Sequence, residues 1–368
     1  MRLPLPLISV AGTPAECGAA YGVAAEALIA ENVALYLRRF HDQAGLDRPA
    51  VRAAGAGYRG TTRAVHPRIA EMLDGVAEGA GVHVDEVYAL NARTELIYGT
   101  WPAYGKQPDG GCTAAGVLDT HTAGGHLLMG QNWDWHPAQR EAMVVLQTTD
   151  ERGHTVITLA EAGMLAKAGL NSAGLGVCLN LLGCDRDGTV GGGVPYHVVV
   201  RAVLESDHLG GALKVACRTP RNASLNLLLG QAHEAGGEII DLELVPGDAG
   251  WLHPVDGVLT HANHLETALP VHDRAKDLGG ATLFRGARAR RLLAEAAAAR
   301  KVTEDDLAAV FRDHAGYPSA ICRHVDERDE PLERSETVYS VLLDLDERRF
   351  GIAAGPPCGH EYAFTSLP

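Results

Sequence analysis

The run "PDGGCTAAGVLDTHTAGGHLLMGQNWDWHP" (residues 108–137) decides how the chain is read. It opens in turn-forming residues and places a single cysteine, Cys112, directly behind Gly110 and Gly111. Small and apolar residues then alternate on either side of Gly124 and Gly125. That pattern predicts two strands joined by a glycine turn, with Cys112 opening the first. A cysteine so placed is either a small buried hydrophobe or a nucleophile left accessible by the turn.

Upstream, from Pro14 to about Asn91, the texture is helical. "TPAECGAAYGVAAEALIAENVALYLRRF" offers Thr13 as a cap, Pro14 in the first turn and apolar residues at helical spacing, and "HPRIAEMLDGVAEGAGV" repeats the pattern. The bridge "WPAYGKQPDGG" (101–111) is rich in Pro and Gly and has no periodicity. It divides the chain into a helical segment, 1–111, and a main body, 112–368.

In the main body, "AMVVLQTTDERGHTVITLAEAG" and "ETVYSVLLDLDERRFGIAAG" read as hairpins. "NSAGLGVCLNLLG", "SLNLLLGQ", "EIIDLELV" and "GVLTHANH" read as strands, and "VPYHVVVRAVLES", "LFRGARARRLLAEAAAA" and "TEDDLAAVFRDHAG" as helices. Antiparallel strands in runs with helices in blocks predict an α+β layered fold rather than a doubly wound parallel sheet.

Composition limits the function. Across 368 residues, 46% hydrophobic and 21% charged are ordinary globular values. A net charge of −14 argues against a sequence-independent grip on nucleic acid or an anionic membrane, so neither is an expected partner. The basic run Phe284–Lys301 goes against this trend and reads as a solvated helix face. Seven scattered cysteines without a CxxC pair fit a reducing compartment and disfavour a disulfide scaffold or a thiolate zinc site. The N-terminal apolar stretch is broken by Pro4 and Pro6 and reads as an opening strand. No run approaches the ~18–20 apolar residues of a membrane span. A cytoplasmic location is expected.

Several chemistries lack their signatures. There is no GxxxxGKS/T or strand-linked GxGxxG for phosphates, and "DGTVGGGVP" (187–195) reads as a loop. There is no GxSxG elbow and no HExxH, so no metal is expected from "WDWHP" or "HANH". A cysteine nucleophile is left, with no familiar local Cys–His–Asn signature around it. Cutting the chain before Cys112 would supply a base, because a free α-amine ordinarily titrates at about 7.7–8.0.

The motifs then fall into a known order. "GTPAECGAAYG" (12–22), "AEGAGVHVDEVYALNARTEL" (77–96), "DGGCTAAG" (109–116) and "GQNWDW" (130–135) are followed by "EAGMLAKAGLNSAGLGV" (161–177). "GVPYHVVVRAVLES" (193–206), "HANH" (261–264) and "YPSAICR" (317–323) complete the series. Over nearly its whole length the chain resembles the acyl-coenzyme A:6-aminopenicillanic acid acyltransferase family, self-processing N-terminal-nucleophile amidases and acyltransferases.

The resemblance implies a four-layer αββα sandwich with a helical N-terminal pro-segment. It implies autocleavage between Gly111 and Cys112, giving an α chain (1–111) and a β chain (112–368) that stay together. Carried over residue by residue, Cys112 matches the nucleophile and Asp134 the acid that contacts the new α-amine. Asn263 matches an oxyanion-hole side chain, and Arg323 an arginine lining the nucleophile. Asn180 lies near a second oxyanion asparagine, with a spacing that differs by one residue. Gln131 stands where the more distant bile salt hydrolases and penicillin V acylases carry an arginine. Glu161, Asn171 and His261 match the pattern without a role and are read as structural, and Cys322 as a packed hydrophobe.

The expected activity is hydrolysis of a linear amide in an N-acyl or peptide-like small molecule, through a thioester on Cys112. No cofactor is expected, and coenzyme A enters only as an acyl donor. The alternatives are an acyltransferase that passes the acyl group to an amine, and an uncut, non-catalytic binding protein of the same fold.

Overall fold

Local signals set the first turns of the N-terminal segment. The Thr13 hydroxyl accepts the Glu16 N–H at 3.4 Å while the Glu16 carboxylate accepts the Thr13 N–H at 2.8 Å, a reciprocal cap that starts a helix at Pro14. The computed structural model describes residues 3–99, 111–188 and 192–367. The bridge read at 101–111 therefore lies outside the described residues except for Gly111, as do residues 189–191 of the loop at 187–195.

The chain opens with β1 (Leu7–Ala11) and continues through α1 (Pro14–Ala24), α2 (Glu26–Ala44) and α3 (Arg48–Val65). Next come α4 (Pro67–Gly79), α5 (Val84–Asn91) and α6 (Arg93–Tyr98). The main body starts with β2 (Cys112–Val117), β3 (Leu128–Trp135), β4 (Met143–Thr149), β5 (Thr155–Glu161), β6 (Gly169–Asn171) and β7 (Leu175–Leu181). Helices α7 (Tyr196–Leu204) and α8 (Leu209–Arg218) precede β8 (Leu225–Gln231), β9 (Glu238–Val245), β10 (Asp248–Leu252) and β11 (Val258–His261). Then follow α9 (Arg274–Leu278), α10 (Thr282–Ala299), α11 (Glu304–Phe311), β12 (Glu336–Asp344), β13 (Arg349–Ala353) and β14 (Ala363–Ser366).

The strands form two sheets, ordered β1-β4-β5-β6-β7-β8-β9-β10 and β11-β2-β3-β12-β13-β14. Every named pairing is antiparallel except that of β1 with β4. Because side chains alternate along a strand, each sheet has two apolar faces to bury. In β4, Val144 and Leu146 pack into the core under the helices, whereas Val145 faces the second sheet. In β12, Val341 and Leu343 fill the space between the sheets, and Leu342 packs with Leu293 of α10 and Phe311 of α11. The result is the expected four-layer αββα sandwich.

The described N-terminal residues share their core with the main body. Tyr21, Ile29, Tyr36 and Leu73 belong to the same buried cluster as Leu146, Val177 and Leu227 of the large sheet. Helices α1 and α4 touch backbone to backbone, since a Cβ at Gly18 would lie 2.0 Å from Met72 O and one at Gly79 would lie 2.1 Å from Ala19 O. Among the described residues no single helix is long and apolar enough to cross a membrane.

Candidate active site

Cys112 begins β2, between β11 and β3, opposite Trp133. One residue further out, the Asp134 N–H donates to Gly111 O at 2.7 Å, so the strand ladder holds the peptide bond that precedes Cys112. On the other side the Cys112 N–H donates to Asn263 Oδ1 at 2.8 Å. Asn263 lies just beyond the end of β11, and its Nδ2 donates to Leu181 O at 2.9 Å. A second donor, Arg285 Nη2, reaches the same Asn263 oxygen at 2.7 Å. Two N–H groups converging on one side-chain atom require it to be the oxygen, which fixes the amide orientation.

Arg285 comes from α10, inside the basic run expected to be a solvated face. The structure corrects that expectation: Arg285 is only 1% exposed. Its Nη1 donates to Cys112 O at 2.6 Å and to Thr113 Oγ1 at 2.7 Å. It shares the inner face of α10 with Ala289 and Leu293, four and eight residues on, both fully buried. That spacing is the sequence signal that picks Arg285 out of the run.

These contacts leave no room for a side chain at position 111. A Cβ on Gly111 would lie 2.1 Å from Asn263 Oδ1 and 2.6 Å from Arg285 Nη2. Glycine is required here by close approach, independently of any turn.

The Asp134 carboxylate is buried across from Thr337, whose hydroxyl donates to Oδ1 at 2.8 Å. Thr337 pairs with Asp134 where β12 slips register against β3, a bulge that re-aims the strand at this point. Arg323 Nε lies 3.5 Å and Arg285 Nη1 3.9 Å from Asp134 Oδ2. Burial raises the Asp134 pKa, and the two guanidiniums oppose that rise. Arg323 therefore meets Asp134, whereas the guanidinium bonded to the Cys112 backbone is that of Arg285.

Burial pushes the Cys112 thiol up to about 11, and the Asp134 charge adds to the rise. Arg285, the Leu181 backbone N–H and Lys167 act in the opposite direction. In the continuous chain the thiol is thus a neutral group beside a constrained glycyl carbonyl.

A small cleft opens beside Cys112, walled by Trp133, Trp135, Leu179 and Tyr196. At its base Lys167 Nζ sits 3.8 Å from the Trp133 ring centroid and 2.8 Å from Glu161 Oε1. Glu161 also pairs with Arg93 Nε at 3.1 Å and accepts the Tyr36 hydroxyl at 2.6 Å. Burial, reinforced by the Arg93 charge, brings Lys167 down to about 7. Glu161, read from sequence as structural, thus neutralises two buried cations beside the cleft. Sequence reasoning misses Arg93 and Lys167, since residue order gives no sign that a pro-segment arginine meets a main-body lysine across one carboxylate.

The Asn180 side chain bonds other partners. Its Nδ2 donates to Asn226 Oδ1 at 2.7 Å and to His261 O at 3.5 Å. Asn226 in turn donates to Asp241 Oδ2 at 2.6 Å, so Asn180 joins a polar network between the strands. His261 is buried in the same network, 2.8 Å from Glu243 Oε1. Gln131 bonds the backbone of Leu179, donating to its carbonyl and accepting its N–H at 3.2 Å, which ties β3 to β7. Asn171 caps its own turn, accepting the Ala173 N–H at 3.0 Å.

The arrangement can do one kind of chemistry with the groups on hand. It presents a thiol, a carbonyl polarised by one backbone N–H, an acceptor on the amide nitrogen, and buried positive charge close by.

A model of the acyl-coenzyme A:6-aminopenicillanic acid acyltransferase family matches residues 120–358. The chain is 28% identical over 362 residues to the acyl-coenzyme A:6-aminopenicillanic-acid-acyltransferase 40 kDa form of Emericella nidulans, covering 97% of this chain and 95% of that one. Among solved structures, penicillin V acylase from Agrobacterium tumefaciens aligns with a TM-score of 0.45 and 14% identity, covering 70% of this chain and 86% of that one. A mutant conjugated bile acid hydrolase from Clostridium perfringens aligns with a TM-score of 0.43 and 11% identity, covering 69% and 97%.

Proposed function

The chain belongs to the acyl-coenzyme A:6-aminopenicillanic acid acyltransferase family, and from that premise we propose that it is a self-cleaving N-terminal-cysteine amidohydrolase. The observation that carries the reading is the Gly111–Cys112 peptide, whose carbonyl accepts the Asp134 N–H and whose nitrogen donates to Asn263 Oδ1.

In the first reaction the Cys112 thiol attacks the Gly111 carbonyl carbon. The oxyanion is stabilised by the Asp134 N–H, and the thiol proton passes to the Cys112 nitrogen as the C–N bond breaks. Water then hydrolyses the thioester, leaving a carboxylate on Gly111 and a free α-amine on Cys112. This step divides the chain into residues 1–111 and 112–368.

In the cut enzyme the α-amine accepts the thiol proton, and the thiolate attacks the carbonyl of an N-acyl or peptide-like amide bound in the cleft. Asn263 stays beside the α-amine and the forming tetrahedral centre. Its oxygen faces the Cys112 nitrogen, so any oxyanion bond it gives comes from Nδ2, which in the uncut chain bonds Leu181 O. Such a donor is commonly worth about 3–4 kcal/mol. Asp134, held by Thr337, orients the ammonium that forms. Arg285 and Arg323 keep this carboxylate ionised, and Arg285 favours the thiolate. The acyl group leaves Cys112 with water. Asn180, bonded to Asn226, supports the strand that carries Leu181.

A second reading, transfer of the acyl group to an amine with an acyl-coenzyme A donor, is favoured by the Emericella nidulans relative, whose name specifies that reaction. Intact mass and N-terminal sequencing of the purified protein test the shared premise. Two chains, one starting at Cys112, are expected; a single uncut and inactive chain would leave a binding protein. Incubating the cut enzyme with acyl amides and acyl thioesters, with and without amine acceptors, separates hydrolysis from transfer.

A further inference from the structure

Around the loop that carries Arg323, four ligand-type side chains converge. His314, Cys322, His324 and Cys358 each offer one donor atom, and all four atoms lie within 4.8 Å of one another. His314 Nε2 is 3.1 Å from His324 Nε2, and the Cys322 and Cys358 sulfurs are 3.7 and 3.4 Å from that same nitrogen. The residues come from two loops. His314, Cys322 and His324 lie between α11 and β12, and Cys358 lies between β13 and β14.

The distances match a particular geometry. Tetrahedral zinc with Zn–N of about 2.0–2.1 Å and Zn–S of about 2.3 Å sets its ligand atoms about 3.3 Å (N–N), 3.6 Å (S–N) and 3.8 Å (S–S) apart. The three measured separations fall within about 0.2 Å of these values. Two sulfurs and two imidazole nitrogens are also the softer ligands that select zinc over magnesium or calcium.

The loops around the cluster are already anchored. Arg288 pairs with Asp313 through two bonds of 2.6 Å, and the Cys322 N–H donates to Asp313 O at 3.0 Å. The His324 N–H donates to Pro318 O at 2.9 Å, and the Gly359 N–H to Pro356 O at 3.0 Å. Asn132 Nδ2 donates to Ile321 O at 2.8 Å, linking this loop to β3, two residues before Asp134.

We propose that His314, Cys322, His324 and Cys358 form a structural zinc site that clips the loop bearing Arg323 to the loop before β14. Binding releases the two thiol protons to solvent, so the dication and two thiolates leave the site neutral. With four protein ligands the metal has no open position for water, which makes the site structural rather than catalytic. The clip fixes the backbone on both sides of Arg323 and thereby its distance to Asp134.

Cys358 and His314 are exposed, so their substitution tests the site without emptying a core. Untagged full-length protein purified under reducing conditions is expected to hold about one equivalent of zinc by elemental analysis. Exchange into Co(II) should give the visible bands of a tetrahedral sulfur-bound ion. Cys358→Ser and His314→Ala should each weaken zinc by at least the about 10–100-fold that even an outer-shell loss costs, and abolish the cobalt bands. They should leave cleavage at Gly111 in place. The proposal is overturned if the reduced protein takes up neither metal, if both variants bind as the wild type does, or if Cys322 and Cys358 are recovered as a disulfide in metal-free protein. None of these outcomes depends on the activity assigned to Cys112.

Discussion

Asn263 Oδ1 accepts the Cys112 N–H at 2.8 Å while Arg285 Nη2 donates to the same oxygen at 2.7 Å. The side-chain oxygen is therefore held against the nitrogen of the Gly111–Cys112 bond by a residue from another layer. A hydrogen-bond acceptor at an amide nitrogen favours build-up of positive charge there, as when that nitrogen is protonated and leaves.

The first prediction concerns Gly111. A Cβ at this position meets Asn263 Oδ1 at 2.1 Å, so Gly111→Ala must displace the scissile carbonyl from Asp134 N–H. The variant is expected to fold and to remain largely one chain, as should Cys112→Ala. Time-resolved gel analysis decides it, and cleavage at the wild-type rate would sink the steric argument.

Asp134→Asn keeps the shape and the Thr337 bond but removes the charge facing two guanidiniums. In the fraction of this variant that has been cut, kcat should fall by about 100-fold or more, as for loss of a group that organises proton transfer, with KM changed little. A raised KM at unchanged kcat would assign Asp134 to substrate binding instead.

Arg285 and Arg323 should differ in their effect on the thiol. Arg285 bonds the Cys112 carbonyl, whereas Arg323 acts through Asp134. The pH dependence of Cys112 alkylation, followed on its own peptide by mass spectrometry, should shift upward more in Arg285→Met than in Arg323→Met. Arg285→Lys should restore part of the shift, since a point charge replaces charge but not the forked hydrogen bonds. Equal profiles in all variants would make both arginines purely structural.

His261 supplies a stability test. Burial lowers its pKa, but the Asp241 charge and the hydrogen bond His261 donates to Glu243 more than offset this and raise it to about 9. A histidine raised above its unfolded value of about 6.5 contributes fully below that pH, and the contribution is lost as pH climbs to about 9. The contribution is on the order of 3 kcal/mol. Lys167, lowered to about 7, gives a slope of the opposite sign over part of this window, so the readout is the difference between uncut Cys112→Ala protein with and without His261→Gln. The stability lost on His261→Gln should be largest at pH 6 and shrink between about pH 6.5 and 9 in thermal unfolding. An equal difference at pH 6 and pH 9 would mean that His261 is neutral in the fold.

Much of this arrangement is legible in the sequence. The hairpin around Gly124 and Gly125, the strand start at Cys112 and the opening strand all follow from alternation and turn chemistry. The half-exposed β14 and the short β10 are not, because neither carries a buried alternating face long enough to stand out. Gly18 with Gly22 and Gly75 with Gly79 recur at helical spacing, and only their packing explains why. The grouping of His314, Cys322, His324 and Cys358 spans two loops, so no linear spacing reveals it. Arg93, Glu161 and Lys167 come together only because the N-terminal helices lie on the large sheet.

That last contact changes what a cut chain is. Arg93 on one side of position 111 and Glu161 on the other are 3.1 Å apart, and β1 lies in register with β4. Breaking one peptide bond turns a protein that folds as a single molecule into a pair whose reassembly is second order. Its melting temperature then depends on concentration, and its working lifetime is set by how slowly the halves part. Heating the cut protein at low concentration would remove activity that cooling does not restore, while the uncut Cys112→Ala chain, free of that handicap, would refold.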